Sequence, residues 1–295
     1  EILLAYDRSK YAIEAQWRLP WLKDFYTISA TSGAIKLLKK KVSSNWPLSP
    51  NESFWGYFDQ INKEYHLIDL KENRDRCISC NIEGIQWTND LNGQPRLPFP
   101  RGELGYHNDG LKYYFKSEYD LWMYDIVKDT TICITNQFGK KNDVILMPYL
   151  WDYDSVSVDY DNLYFKAFSN KTKKESIYIY NNNSLIKKHG AQMGIDKVFR
   201  SKNKKSVIIR KSNISKYPEL SIMNKNFQNE RIISETNPQQ KEFNWATVEL
   251  IHWEIDSMQL EGLLYKPEDY NDKLKYPLLV YYYEKLSDRL FKHYT

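Results

Sequence analysis

A repeated strand pattern is the feature that most constrains how this 295-residue chain can fold. Each unit has a turn, an aromatic strand, a short break, a second strand that ends in Asp or Asn, another turn and a third short strand. The clearest unit starts at Asn108 and runs through LKYYFKS, LWMYDIV and TTICITN. Self-similarity at a period of about 40 to 50 residues is typical of sheets repeated around an axis.

Two more complete units start near Ser49 and Asp161, and two weaker ones flank them. The residues that close the second strand of each unit are Ala30, Asp69, Asp125, Asn181 and Asn224. Asp or Asn fits a turn there, because its side chain can accept a hydrogen bond from the backbone two residues on. The pattern predicts a mainly β fold, an incomplete β-propeller with about five visible blades over residues 1–236. Closure requires more blades, so we expect others upstream of Glu1.

The sequence changes character after about residue 237. A linker starts at Asn237, and ATVELIHWEID and MQLEGLLYKP are predicted strands on either side of a turn at Asp256. KYPLLVYYYEK is a near-continuous apolar and aromatic run, as expected for a strand buried on both faces of an α/β sheet. We therefore predict that residues 237–295 hold a linker and the first strands of a second, α/β domain.

Composition and motifs argue against several functions. The net charge of +4 comes from 42 basic and 38 acidic residues, and the basic runs adjoin turns, so we expect no nucleic-acid partner. No stretch reaches ~18 apolar residues, so we expect no membrane span. The sequence contains no G-x-G-x-x-G, P-loop or His-Glu-x-x-His motif, so we predict neither a cofactor nor a metal ion.

Three cysteines do not make a disulfide framework. Cys77 and Cys80 form a C-x-x-C, and Cys133 stands alone. A redox pair would open a helix beside a parallel strand, and a zinc site would need a second pair of ligands. Neither context is visible in the sequence. The favoured interpretation is a chance pair at the end of a strand, with redox chemistry and zinc binding as the alternatives.

The stretch 237–288 resembles the propeller-to-hydrolase junction of the prolyl oligopeptidase and dipeptidyl peptidase IV family of serine peptidases, especially bacterial members from Bacteroidota. The matching residues are Gly262, Tyr265, Lys266, Pro267, Tyr276, Pro277 and Glu284. Upstream, GYHNDGLKYYFKSEYDLWMYDI is similar to the propeller of that family. The resemblance implies a propeller that restricts access to an α/β-hydrolase domain, which cleaves oligopeptides through a Ser/Asp/His acyl-enzyme mechanism.

The catalytic machinery that the resemblance implies is missing from the sequence. There is no G-x-S-x-G, and none of the five His residues has the sequence context of a triad member. We therefore expect the parent protein to be a serine peptidase whose triad lies outside this chain, and this chain to be inactive alone. No Glu-Glu pair is present to hold a substrate amino terminus, so strict dipeptide release is not expected unless other blades supply one.

One catalytic residue carries over by resemblance. Aligning YPLL at 276–279 with the family places Tyr283 as the hydroxyl donor to the oxyanion of the tetrahedral intermediate. The Gly-Pro that usually follows this Tyr is replaced by Glu284 and Lys285. The alternative is that Tyr283 packs in a strand with its hydroxyl at solvent.

The resemblance also implies location and partners. We expect an exported protein, periplasmic or secreted, whose partners are an oligopeptide substrate and the remainder of its own hydrolase domain. Substrate length, residue preference and oligomeric state stay open. The alternative function is a non-catalytic propeller that binds or scaffolds, for example by stacking glycans on Trp or Tyr. Against it, a lone KYPLLVYYYEK strand would leave an unpaired apolar edge.

Overall fold

The structure is a computed structural model that describes residues 2–17, 19–89, 96–149, 163–181, 183–283 and 285–293. The prediction of a mainly β fold is confirmed, since antiparallel sheets make up most of the ordered structure. The chain divides into two compact units. The longest continuous part of the first unit is Glu1–Lys141; the second contains Tyr164–Tyr180 and Leu185–Thr295.

The first unit contains three sheets in which successive strands pair with their chain neighbours. The first sheet consists of β1 (Ile2–Asp7), β2 (Lys23–Ser29) and β3 (Ile35–Val42). The second consists of β4 (Ser44–Leu48), β5 (Phe54–Asp59), β6 (Glu64–Asp69) and β7 (Arg74–Cys77). The third consists of β8 (Glu103–Tyr106), β9 (Lys112–Lys116), β10 (Leu121–Asp125) and β11 (Thr130–Cys133).

The second unit contains two four-stranded sheets and a hairpin. The fourth sheet consists of β12 (Val144–Pro148), β13 (Leu163–Ser169), β14 (Glu175–Asn181) and β15 (Ser184–Ala191). The fifth consists of β16 (Gly194–Arg200), β17 (Ser206–Asn213), β18 (Lys216–Asn224) and β19 (Arg231–Ile232). The hairpin pairs β20 (Thr247–Ile255) with β21 (Met258–Lys266).

Helical structure is short among the described residues. The α-helix α1 spans Phe138–Asn142, and single 3₁₀ turns span Ser9–Tyr11, Glu14–Gln16, Pro238–Glu242 and Ser287–Arg289. The predicted linker at 237–240 thus includes a 3₁₀ turn, with Pro at its first position where no backbone N–H is needed. No helix in the described part of the chain is long and apolar enough to cross a membrane.

The predicted turn chemistry at the end of the second strand of each unit is confirmed at three positions. The side-chain oxygen of Asp69 accepts hydrogen bonds from the backbone N–H of Lys71, at 3.0 Å, and of Glu72. Asp125 and Asn224 make the same contact with the N–H two residues on. These bonds end the strands where the sequence pattern placed their ends, because the side chain satisfies backbone donors that leave the ladder.

Aromatic side chains form the core of the first unit. The second sheet buries both faces: Trp55 and Tyr57 pack with Phe25 of the first sheet, whereas Phe58 and Tyr65 pack on the other face. That other face meets the third sheet through rings that include Tyr113, Phe115 and Trp122. Successive side chains of a strand point to opposite faces, so a strand in the middle of three sheets is apolar at nearly every position.

Gly56 of β5 permits the close approach of the second and third sheets. A Cβ atom there would lie 3.0 Å from the Tyr113 hydroxyl oxygen and 3.3 Å from the Trp46 ring. Tyr113 cannot easily move, because it is buried and donates a 2.6 Å hydrogen bond to Glu103.

We expect Gly56→Ala to lower the free energy of unfolding by about 1–3 kcal/mol, the usual cost of overpacking a dense core. Urea denaturation measures the change. Gly56→Ala/Tyr113→Phe should lose less than the sum of the two single variants, because the closest clashing atom is gone. A urea midpoint equal to that of the wild type in Gly56→Ala would contradict this packing account.

The second unit has a smaller, aliphatic core. Ile177 and Ile179 of β14 pack with Val207 and Ile209 of β17, while Ile195 of β16 is fully buried beside them. Buried and less buried positions largely alternate along β14 and β17, the period-2 pattern of strands with one face in the core.

The strand predicted over KYPLLVYYYEK is not formed in the described residues of this structure. Residues 275–283 belong to no strand, and Leu279 and Tyr282 are 93% and 88% exposed. The physical reason is that a strand forms only with a hydrogen-bonding neighbour. The described residues place no strand beside this segment, whereas β20 and β21 pair with each other.

Candidate functional site

Tyr283, the predicted oxyanion donor, lies in an exposed segment, residues 278–283, that we call the apolar run. Its side chain is 73% exposed. An oxyanion donor stabilises charge only when its surroundings hold it at a fixed point shielded from water. The surroundings of Tyr283 in this structure do not hold its hydroxyl in this way, and its oxyanion role stays a prediction.

The loop before the apolar run is ordered by aromatic contacts. The rings of Tyr270 and Tyr276 stack with centroids 5.2 Å apart, and the Asn271 N–H donates a 3.0 Å hydrogen bond to the Tyr276 hydroxyl. The Lys266 ammonium lies 5.0 Å from the centre of the Tyr270 ring, a cation–π distance. The segment therefore leaves the end of β21 along a defined path.

The chain after the apolar run is held by a buried lysine. The Lys173 side chain is 1% exposed, and its ammonium lies 2.6 Å from a Glu261 oxygen and 3.0 Å from an Asp288 oxygen. The Ser287 hydroxyl donates a 2.7 Å hydrogen bond to the same Glu261 carboxylate. Lys173, in the β13–β14 turn, thus joins the hairpin to the 3₁₀ turn at residues 287–289. We call these four residues the lysine cluster.

The lysine cluster keeps its charges in the folded protein. Burial by itself lowers the pKa of the Lys173 ammonium, but the two carboxylates shift that pKa upward overall. Burial likewise tends to raise the pKa of Glu261, while hydrogen bonds from Lys173 and Ser287 hold it below its usual value. Each group therefore stabilises the charged form of its neighbour.

Charged substitutions in the apolar run should remove an exposed apolar surface that promotes association, without unfolding the protein. We expect Leu279→Glu/Tyr282→Glu to reduce dye binding and aggregation, because contiguous exposed apolar patches drive association. The free energy of unfolding should change by less than about 0.5 kcal/mol, since both side chains are already in water. Dye fluorescence, light scattering and urea denaturation measure these effects.

Ile61→Glu is the matched control for the apolar run. Ile61 is 79% exposed in a turn, outside that run. Singly exposed apolar residues are normal on protein surfaces, so this variant should leave dye binding and scattering unchanged. Equal effects of Ile61→Glu and of the double variant would show that the apolar run is not a distinct surface.

A cleft of about 1130 Å³ opens within the second unit. Its lining includes Tyr217, Phe243 and Trp245, and it is shaped by Gln240. The Gln240 side chain accepts a hydrogen bond from the Tyr217 N–H at 2.9 Å, and Trp245 donates to the Gln240 carbonyl at 2.9 Å. An aromatic wall with fixed polar groups is the usual form of a site for a peptide or another small ligand.

The histidines do not form a triad in the described residues. The His66 Nδ1 lies 3.0 Å from an Asp75 oxygen, which resembles the base–orienter half of a triad. The other nitrogen, Nε2, lies 3.7 Å from Glu64 rather than beside a serine hydroxyl. His293 instead contacts the backbone carbonyl of Asn213 at 2.9 Å.

His66 is part of a group that could hold a metal ion. One ligand atom from each of Glu64, His66, Cys77 and Cys80 lies within 4.8 Å of the others. Cys77 and Cys80 are joined by a disulfide, and their Cα atoms are 5.7 Å apart. The pair therefore does lie at the end of a strand, as expected, but it has partners that the sequence interpretation lacked.

The sequence interpretation missed these partners because they approach through strand pairing. Glu64 and His66 are 13 and 11 residues before Cys77 in the chain, and His66 pairs directly opposite Cys77 in the β6–β7 ladder. The available signal was the short spacing between two β-type segments of the unit that starts near Ser49, EYHLIDL at residues 64–70 and RCISC at residues 76–80. A tight hairpin between them places the end of the second beside the start of the first.

Comparison with solved structures adds the fold relationship. The chain is similar to a structure described as a dipeptidyl aminopeptidase IV from Bacteroides ovatus, with a TM-score of 0.58 and 11% sequence identity. That match covers 88% of this chain and 39% of the other. Porphyromonas gingivalis dipeptidyl peptidase 4 matches with a TM-score of 0.53 and 12% identity, over 87% of this chain and 36% of that one.

These matches show that the fold of this chain is similar to part of the fold of those two proteins. The chain spans well under half the length of either structure. No protein-family model and no curated protein matches the sequence.

Proposed function

We propose that this chain is the substrate-gating propeller region, with the first strands of the hydrolase domain, of a prolyl oligopeptidase-family serine peptidase. The five three- and four-stranded antiparallel sheets are the blades. The observation that carries the proposal is the fold similarity to two dipeptidyl peptidases over 88% and 87% of the chain. The junction motif at residues 260–284 supports it independently.

The enzyme cleaves oligopeptides through a Ser/Asp/His acyl-enzyme mechanism, with the triad outside this chain. The exposure of the apolar run supports a role as a contact surface for the rest of the hydrolase sheet, because such a sheet buries its strands on both faces. In that setting the run becomes a strand, and the Tyr283 hydroxyl is held at the oxyanion. The remainder of the hydrolase domain is the occupant that this surface requires.

The protein acts in the periplasm or outside the cell. The Cys77–Cys80 disulfide supports this location, because disulfides persist in oxidising compartments and are rare in the cytosol.

Sequencing the transcript downstream of the Thr295 codon tests the proposed function. We expect a G-x-S-x-G motif followed by Asp and then His within roughly 250 residues, the order of the α/β-hydrolase fold. The encoded full-length protein should react with a fluorophosphonate probe, and the 295-residue chain should not. A stop codon at that point would contradict the peptidase and leave a non-catalytic binding module, for which the aromatic cleft of the second unit is the binding surface.

A further inference from the structure

Strand pairing in the second sheet brings four metal-binding side chains to one place. Glu64 and His66 are two residues apart on β6, so their side chains lie on the same face of the strand. Cys77 is the direct cross-strand neighbour of His66 on β7, and Cys80 follows three residues later. This grouping is independent of the proposed peptidase function.

Once the two bonded sulfur atoms separate, the four ligand atoms are close enough to take up the spacing of a small tetrahedral ion. The four ligand atoms lie within 4.8 Å of one another, and His66 Nε2 is 3.7 Å from the Glu64 carboxylate. Zinc bonds of about 2.0–2.3 Å in a tetrahedron separate ligand atoms by roughly 3.3–3.8 Å. Cys80 is exposed and lies after the end of β7, so small side-chain movements can bring its sulfur into the ligand set.

Asp75 fixes His66 in the form that binds a metal. The Asp75 carboxylate also accepts hydrogen bonds from the Tyr57 hydroxyl, at 2.6 Å, and from the Lys39 ammonium, at 2.8 Å. An ionised carboxylate only accepts hydrogen bonds, so a neutral His66 carries its proton on Nδ1, 3.0 Å from Asp75. The lone pair is then on Nε2.

The lone pair on His66 Nε2 has no hydrogen-bond donor beside it in the disulfide form. His66 Nε2 is buried and makes no hydrogen bond. Buried polar atoms without partners are rare, and each one calls for an explanation such as a missing ion. A carboxylate behind a histidine whose other nitrogen faces two cysteines is the usual second layer of a zinc site.

We propose that Glu64, His66, Cys77 and Cys80 bind one zinc ion when Cys77 and Cys80 are reduced, and that the Cys77–Cys80 disulfide closes this site. Two thiolates with an imidazole select a soft or borderline ion such as zinc over magnesium or calcium. A cleft of about 510 Å³ lined by Glu64 and Cys80 gives the ion a path from solvent.

The disulfide form and the zinc-binding form interconvert by thiol–disulfide exchange. A dithiol reductant attacks the Cys77–Cys80 bond, gives it two electrons and leaves as its own disulfide, while both cysteines become thiols. Zinc binding then displaces the two thiol protons to solvent. Closing the site reverses these steps, with loss of zinc and transfer of two electrons to an oxidised dithiol.

Zinc titration of the full 295-residue chain in both redox states tests the proposal. The reduced chain, prepared with a phosphine that is then removed, should bind one equivalent of zinc in competition with a chromogenic chelator. The oxidised chain should bind none under the same conditions. Cobalt as a probe should give a thiolate-to-cobalt charge-transfer band with the reduced chain only.

Three variants identify the ligands. Cys80→Ser should weaken zinc binding by more than the roughly 10–100-fold expected for loss of a second-layer partner. Asp75→Asn should fall within that range and keep the stoichiometry of one, with circular dichroism as the check on folding. Cys133→Ser is the matched control, because Cys133 is a free cysteine outside the cluster, and its zinc affinity should equal that of the wild type.

Several results would overturn the proposal. These are a reduced chain that binds no zinc, an oxidised chain that binds it equally well, and an unchanged affinity or cobalt band in Cys80→Ser. Cys80 is exposed, and the reduced wild-type chain used for comparison also lacks the disulfide, so an altered affinity in Cys80→Ser reports on the site itself.

Discussion

Replacing both acidic partners of Lys173, in Glu261→Gln/Asp288→Asn, is expected to lower the free energy of unfolding of the second unit by about 3–5 kcal/mol. The Lys173 side chain is 1% exposed, so the double variant leaves a buried ammonium with no opposite charge. Either single variant should cost less, because one carboxylate remains. Urea denaturation combined with hydrogen exchange at the amides of β21 measures the loss.

Two further variants test whether the loss of stability comes from the unpaired Lys173 ammonium. Adding Lys173→Met to the double variant should recover much of the loss, because an apolar side chain suits the buried position. Glu235→Gln removes an ion pair with Lys241 whose side chains are 69% and 82% exposed. That control should change stability by less than about 1 kcal/mol. A double variant as stable as this control would rule out the anchoring role of Lys173.

The lysine cluster also sets a pH dependence. The pKa of Glu261 is below its ordinary value of 4.5 in the folded protein, so its contribution is present above pH 4.5 and is lost as the pH falls further. The pKa of Lys173 is above its ordinary 10.5, so its contribution is present below pH 10.5 and is lost at higher pH. Urea midpoints of the second unit measured across both limits should fall at each end. The acid decline should be shallower in Glu261→Gln; an identical acid decline would contradict this account.

The second large effect concerns catalysis in the full-length peptidase of the proposed function. Tyr283→Phe should lower kcat by about 10²–10³, the usual cost of removing one oxyanion donor, with little change in KM. The reason is that the hydroxyl contacts charge that develops only in the transition state. Steady-state kinetics with a chromogenic peptide measures both constants.

Tyr282→Phe is the control for the oxyanion assignment. Adjacent residues of a strand point to opposite faces, so Tyr282 should face away from a site that Tyr283 enters. Its kcat should match that of the wild type. A full rate for Tyr283→Phe, or a larger loss for Tyr282→Phe, would remove Tyr283 from the mechanism and favour strand packing instead.

Local patterns predicted most of the sheets. LKYYFKS and LWMYDIV became β9 and β10, and the Asp and Asn residues that close such strands make the expected turn bonds. The opening strands of the second to fifth sheets were not predicted, whereas the first residues, EILLAYD, were predicted as a strand and form β1. β4 contains Pro47, and β16 mixes charged and apolar residues, so neither shows a clear period of two. Their place is set by pairing with β5 and β17.

The candidate sites were predictable only where they depend on local sequence. The lysine cluster joins Lys173 to Asp288, 115 residues further along the chain, and no spacing rule predicts that contact. The metal-binding group depends on which residue of β6 faces Cys77. KYPLLVYYYEK failed for the opposite reason: its local pattern was strong, but a strand also needs a neighbour.

The bond between Ser287 and Glu261 turns residues 262–286 into a closed loop whose two ends are fixed at one point of the second unit. Closing a loop lowers the conformational entropy of the chain, and the folding of this unit already includes that loss. The apolar run is therefore confined to a small volume, which raises its effective concentration beside any sheet edge that forms there. A tethered segment of this kind adds to an edge as an intramolecular step, so its pairing does not depend on protein concentration.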